Sequence, residues 1–159
     1  MFLPEIRFCG PDDVPAIIEA NGLSLYPWPD AVIARDLAAS SSEQTREDLS
    51  YLGAFSRGAD ARLLGYAVMG HEAGFALLMG LMVLPEYRRR GIGTQLVLAV
   101  AECARSMGRT RLILRVGEAN APARALYEGL SFRRGATRAR YYSDGENAVE
   151  MALPLNRAL

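Results

Sequence analysis

Apolar positions along this chain fall into two rhythms, short runs bounded by turn residues and longer stretches with helical spacing. The short runs predict strands over 5–9, 51–56, 63–69, 75–83, 111–116, 132–142 and 148–153. Helical spacing predicts one helix opened by Pro11-Asp12-Asp13 and running to Ala20, where Asn21-Gly22 stops it. A second starts at Trp28-Pro29-Asp30 and fades into Ser40-Ser41-Ser42. A third covers 95–107, with Leu96, Val97, Val100, Ala104 and Met107 on one face and Gly108 to end it. The fourth is capped by Asn120, tolerates Pro122 in its first turn and runs through Ala125, Leu126 and Tyr127. Residues 40–48 read as a mobile polar loop, 57–60 and 143–145 as hairpin turns. The resulting order is βααβββαβαββ. Without repeats, linkers or low-complexity tracts it predicts a single α/β domain over residues 1–159.

Composition adds little to that picture until charge is resolved by position. Half of the 159 residues are hydrophobic and the formal net charge is zero. No run approaches the roughly 20 apolar residues of a membrane helix, and no signal-peptide pattern opens the chain. Cys9 and Cys103 stand far apart without metal or redox spacing, as reduced core thiols of a cytosolic protein do. Residues 85–140, however, hold twelve arginines against four acidic residues, a segment of charge +8 beside a remainder of −8. A nucleic-acid binder is usually basic throughout. This distribution suits one half built around a polyanionic ligand, although solvated arginines contribute to it.

The stretch Leu84-Pro85-Glu86-Tyr87-Arg88-Arg89-Arg90-Gly91-Ile92-Gly93-Thr94 supplies the chemistry. A strand runs into a loop with two glycines that opens a helix. The unpaired N–H groups of a helix start, at the positive end of its dipole, suit an anion. It is not a nucleotide P-loop, because no Gly-Lys-Ser/Thr closes it and the chain contains no lysine. Nor is it a dinucleotide fingerprint, since Leu96 stands at the third glycine position. On its own the loop reads either as a pyrophosphate cradle or as a glycine turn beside solvated arginines.

The order R-x-x-G-x-G resembles the acetyl-CoA loop of the GNAT N-acetyltransferases. Further stretches extend the likeness: Tyr26-Pro27-Trp28-Pro29, Asn120 to Phe132 with Ala125-Leu126-Tyr127-Glu128, and Tyr141-Tyr142-Ser143-Asp144-Gly145-Glu146 running to Met151-Ala152-Leu153-Pro154. They resemble most closely the N-terminal amino-acid acetyltransferases of the RimI type, which act on a ribosomal protein. That resemblance implies the GNAT fold, a mixed central sheet with helices on both faces. It also implies transfer of acetyl from acetyl-CoA to an amine by direct attack, with a protein N-terminus such as that of a ribosomal protein as acceptor. Neither a nucleic acid nor a membrane is an expected partner, and the protein is expected to be a cytoplasmic monomer or homodimer.

By the same resemblance, Leu81, Met82 and Val83 present strand backbone to the pantetheine and thioester. Arg88, Arg89, Arg90, Gly91, Ile92, Gly93 and Thr94 form the pyrophosphate loop, and Asn120 meets the pantetheine. Tyr127 returns a proton to the departing thiolate, which a phenol of ordinary pKa about 10 can do for a thiol near 8.5. Trp28, Arg115, Tyr141 and Tyr142 shape the acceptor side. Each has a plainer reading: Asn120 as a helix cap, Tyr127 as core, the two tyrosines as strand aromatics, Trp28 as a staple between helices. His71, beside Glu72, reads as a surface turn residue, with a proton shuttle as the rival.

Two positions depart from the family pattern. Where RimI-type enzymes carry a glutamate as general base, and related enzymes a histidine, this chain has Arg115, which cannot accept a proton. Glu118 lies three residues on, and water or Glu72 is the alternative relay. Arg115 also reads as a partner for an acidic group on the acceptor. Ser131 replaces the family's usual glycine before Phe132, with Gly129 expected to take over the helix-ending turn. Two other functions stay open beside N-terminal acetylation: acetylation of a small amine, and a catalytically weak acyl-CoA-binding module that regulates a partner.

Overall fold

The computed structural model describes residues 3–39, 49–72 and 74–155. The elements appear in the predicted order: β1 (Glu5–Phe8), α1 (Val14–Asn21), α2 (Asp30–Ala39), β2 (Leu49–Phe55), β3 (Leu63–Glu72), β4 (Phe75–Val83), α3 (Ile92–Ser106), β5 (Arg111–Gly117), α4 (Ala121–Gly129), β6 (Arg133–Arg138) and β7 (Ala148–Pro154). The polar segment 40–48, expected to be a mobile loop, lies outside the described residues.

Seven strands form one mixed sheet in the order β1-β2-β3-β4-β5-β7-β6. Only β4 and β5 run parallel; α3 makes the crossover between them. The sheet separates two apolar clusters. On one face α3 and α4 pack over Leu52, Ala67, Met69, Leu78, Leu112 and Met151. On the other, Ile17 of α1 with Ile33 and Leu37 of α2 covers Tyr51, Tyr66, Val68 and Met82. Each such side chain contributes on the order of 1.5–3 kcal/mol when fully removed from water. Helices therefore lie on both faces, as the GNAT pattern implies.

Several boundaries differ for physical reasons. Pro11–Asp13 forms a 3-10 turn and the α-helix begins at Val14, with Asp13 Oδ2 accepting from the Gly10 N–H at 2.8 Å. Helix α3 starts at Ile92 rather than 95, because Gly91 adopts φ 79° and sets the first turn there. Met107 falls outside the helix and is 48% exposed, not part of its buried face. The penultimate strand is much shorter than 132–142, since Arg140 at φ 53° ends the extended run and leaves Tyr141 and Tyr142 in the β6–β7 loop. His71 lies on β3 opposite Ala76, not in a turn. Gly129 does not take over the turn after α4; Ser131 itself adopts φ 74°, where a side chain is strained.

Candidate active site

The site begins with a miscount in β4. Val68 of β3 pairs with Gly80 and Met69 with Leu78, so Met79 is an extra residue, a bulge. On the other side of β4, the parallel pairing with β5 ends at Leu78–Leu114. Beyond that point the strands part, and backbone of 80–83 on the β5 side has no strand partner. A cleft of about 630 Å³ opens in the gap. Gly80, Leu81 and Met82 form one wall, Leu114 to Gly117 the other, and Asn120 and Tyr127 of α4 close one side.

At the donor end, Leu84 and a 3-10 turn (Pro85–Tyr87) lead into the arginine loop. Arg89 at φ 63° and Gly91 at φ 79° alternate with right-handed or extended backbone, a geometry that turns successive N–H groups towards one point. The first bond into the helix is from the Gln95 N–H to the Gly91 carbonyl, 3.0 Å. The N–H groups of Ile92, Gly93 and Thr94 precede it and have no intrahelical partner. Ile92 is 1% exposed, so it offers only its backbone. A Cβ at Gly93 would stand 3.7 Å from Val83 and Leu126 side chains and 4.0 Å from Leu81, in the groove between β4 and α4. Arg88 behaves differently from its neighbours: its Nε donates to the Val83 carbonyl at 3.0 Å, and it alone of the loop lines the cleft. The Arg90 guanidinium lies 5.6 Å from the Tyr87 ring. Arg89, Arg90 and Gly91 to Thr94 sit beyond the cleft's lining.

Asn120 and Tyr127 each have their plainer role and also line the cleft. Asn120 Oδ1 accepts from the Ala123 N–H at 3.3 Å, capping α4, while the residue also lines the cleft. Tyr127 is 8% exposed and packs edge-on against Phe132, yet it too lines the cleft. Burial, and then the nearby Tyr142, push its phenol up to about 12. It therefore stays protonated at any ordinary pH, as a proton donor must.

Two loops frame the opposite end. In the α1–α2 loop, buried Asn21 holds Trp28 by both backbone groups: Nδ2 donates to the Trp28 carbonyl at 2.8 Å and Oδ1 accepts from its N–H at 3.0 Å. Trp28 is thereby laid against Gly80, whose added Cβ would lie 3.7 Å from the indole. Tyr26 stacks on Tyr142 at 4.3 Å with planes 7° apart, and its hydroxyl donates to Asp144 at 2.8 Å. Desolvation and this bond raise Tyr26 to about 12, while the Glu146 N–H and the Tyr26 hydroxyl hold Asp144 below its usual range. The Tyr142 hydroxyl donates to the Arg115 carbonyl at 3.3 Å, and Tyr141 packs edge-on to Tyr142. Trp28, Arg115 and Tyr142 line the cleft; Tyr141 lines an adjoining groove of about 390 Å³ that continues past Met79 and Ile113.

The expected base position holds a cation with its own partner. The Arg115 Nε donates to Glu150 Oε2 at 3.3 Å. Glu118 accepts from Arg134 at 3.2 Å and does not line the cleft, and Glu72 sits at the far end of β3 opposite Phe75, so neither reaches the cleft from its place. Asn21, Tyr26, Asp144, Glu146 and Met79 are site residues that sequence reasoning missed. Tyr26 had a signal as part of Tyr26-Pro27-Trp28-Pro29, and Asp144 and Glu146 as part of Tyr141-Tyr142-Ser143-Asp144-Gly145-Glu146. Among the described residues no group of three His, Cys, Asp or Glu side chains is placed to hold a metal, and no helix is long and apolar enough to cross a membrane.

A family model described as "Acetyltransferase (GNAT) family" matches residues 17–132. The N-alpha-acetyltransferase of Saccharolobus solfataricus is 32% identical over 161 residues, covering 91% of this chain and 89% of its own. The [ribosomal protein bS18]-alanine N-acetyltransferase of Escherichia coli K12 is 31% identical over 134 residues, 82% of this chain and 83% of its own. The crystal structure of the Escherichia coli ribosomal-protein-S18-alanine N-acetyltransferase superposes with a TM-score of 0.81 at 28% identity, over 99% of this chain and 97% of that one.

Proposed function

The chain belongs to the GNAT acetyltransferase family, acetyl-CoA-dependent N-acetyltransferases, and we propose that its acceptor is the α-amine of a protein N-terminus. The observation that carries this reading is the shape of the acceptor end. A second groove adjoins the cleft, with Tyr26, Trp28, Met79, Arg115 and Tyr142 lining both. A chain-like acceptor can enter such a groove amine first, with its remaining residues left outside.

The residues present fit acetyl-CoA. The groove space a Cβ at Gly93 would fill, the N–H groups of Ile92, Gly93 and Thr94, and the β4 edge beyond Leu78 that lacks a strand partner on the β5 side together match an elongated ligand with a pyrophosphate. When bound, acetyl-CoA supplies the activated acetyl thioester. Thr94 and its neighbours would hold the pyrophosphate, aided by Arg89 and Arg90. Leu81, Met82 and Val83 would hold the pantetheine arm by backbone, with Asn120 opposite and Arg88 bracing the Val83 carbonyl. Tyr127 would give its proton to the leaving sulfur. Trp28, Tyr141, Tyr142 and Arg115 would orient the acceptor.

A cation at the expected base position is consistent with this acceptor. An α-amine of pKa about 8 is roughly one-tenth neutral at pH 7, whereas a lysine near 10.4 is neutral at only about one part in 2,500. Without a strong base, the first remains a usable nucleophile and the second does not. Release of free CoA, measured against N-terminal peptides, internal lysine peptides and small amines, tests the reading. N-terminal peptides should lead the panel; turnover confined to small amines would refute it, and tight acetyl-CoA binding without turnover would leave a binding module instead.

A further inference from the structure

Next to the acceptor groove lies a sheet face that no helix covers among the described residues. Helices α1 and α2 shield the sheet only over β2 to β4. On β5, β7 and β6 the register sets Arg115 opposite Glu150, Ile113 opposite Ala152 and Ala152 opposite Arg133. Residues paired in register share a face, as do positions two apart on one strand. Arg111, Arg115 and Arg133 therefore stand on one surface. Arg138 joins them, since its Nη2 donates to the same Glu150 Oε2 that accepts from Arg115, each at 3.3 Å. The three strands thus place four arginines and one carboxylate on this face; Arg115 and Arg138 share the carboxylate, and Arg111 lies over the Phe75 ring. The Arg138 side chain is 52% exposed and Arg115 24%, so the excess positive charge meets solvent beside the groove.

We propose that this face selects acceptors whose first residues after the amino-terminal one are acidic. The proposal rests on the N-terminal acceptor reading and names its substrate class. The distances suit it. Neighbouring strands lie about 4.8 Å apart, so the path from Arg115 on β5 to Arg133 and Arg138 on β6 is about 10 Å, the reach of about three extended residues. Acceptor positions two to four would thus run from Arg115 across the face, and their carboxylates would take the guanidinium donors that Glu150 leaves unused. A basic acceptor would meet like charge along the same path, which costs affinity and slows encounter. Arg115 is then a specificity residue in the place where the resemblance predicts a base.

The test is kcat/KM for peptides sharing one first residue and carrying acidic, neutral or basic residues at positions two to four. Acidic peptides should exceed basic ones by about tenfold, mainly through KM, and the ratio should shrink as salt is raised. In the double variant Arg133→Glu/Arg138→Glu the ratio should fall towards one or invert; a merely damaged fold would lower all rates and leave the ratio standing, which counts against the proposal. Equal rates across the panel, or a preference for basic peptides, overturn the acidic selection and leave N-terminal acetylation intact. Turnover of small amines with none of any peptide removes both.

Discussion

Tyr26 and Asp144, 118 positions apart in sequence, are joined by a 2.8 Å hydrogen bond at the cleft that both line. The bond ties the α1–α2 loop to the β6–β7 loop, and the stack of Tyr26 on Tyr142 reinforces it. Tyr26→Phe keeps the stack and removes the tie. Acceptor KM should rise about three- to tenfold in this variant, with acetyl-CoA affinity unchanged. Asp144→Asn should do the same to a smaller extent, because an amide oxygen still accepts. Steady-state kinetics with acceptor and donor varied separately reads both effects, and an unmoved acceptor KM in both variants would leave the tie without a role in binding.

Tyr127→Phe removes a hydroxyl but hardly alters packing, so acetyl-CoA should still bind as before. Turnover should drop by about a hundredfold, at the low end of what a positioned proton donor supplies. Calorimetric binding of acetyl-CoA beside kcat separates the two quantities. A kcat within a factor of about two of the parent would return Tyr127 to the core and nothing more.

The pH dependence follows from the same residue and from the cation, Arg115, at the expected base position. The acceptor must be neutral, so kcat/KM should climb with pH and level off above the α-amine's pKa of about 8. The donor must be protonated, and Tyr127 at about 12 keeps its proton through that whole range. A single ascending limb without a descending one up to pH ~10 is expected. An ascending limb centred near pH ~6 would instead reveal an ionising base on the protein.

Asn21 is buried and hydrogen-bonds both backbone groups of Trp28. In Asn21→Ala the Trp28 N–H and carbonyl lose those partners in a half-buried site, at a cost of about 1–3 kcal/mol. Denaturant titration should show that loss, and acceptor KM should rise with it as Trp28 loosens from Gly80. Stability falling with no change in KM would make the clamp purely architectural.

Ser131 holds φ 74° in the turn that ends α4, on the exposed side of Phe132. Glycine removes the strain of a side chain in that conformation but adds freedom to the unfolded chain. The first effect is the larger, so Ser131→Gly should stabilise the protein by about 0.5–1 kcal/mol, a rise in Tm of roughly 1–4 °C. A lower Tm would show that the turn depends on the serine for something other than its backbone.

Much of this architecture is legible in the sequence because most elements are bounded by residues with one structural meaning. Asn120 does cap α4, Gly108 does end α3 at φ 78°, and the glycines of the arginine loop do open a helix. The opening of the cleft was hidden for an equally physical reason. Strand β4 reads Phe-Ala-Leu-Leu-Met-Gly-Leu-Met-Val, apolar on both faces, so an extra residue leaves no break in the pattern. Tyr141 and Tyr142 misled in the opposite sense, since aromatic residues favour strands and nothing nearby announces the left-handed turn at Arg140. The pairing of Tyr26 with Asp144 depends on two loops meeting after the sheet has formed, which local pattern does not encode.

The bulge at Met79 sets the parity of everything after it. With Met79 set outside the alternation, Leu81 turns to the α3 side and Met82 to the α1 side, where each meets its cluster. Flatten the bulge with that residue kept in the strand and the phase shifts: alternating from Leu78, Met82 would point at the α3 side and Leu81 at the α1 side. The strand could then keep pace with β5 past Leu78 only by surrendering the packing of both layers. The gap that admits the substrate is thus written as arithmetic in the backbone, and the two layers of the core act as the lock that keeps the count.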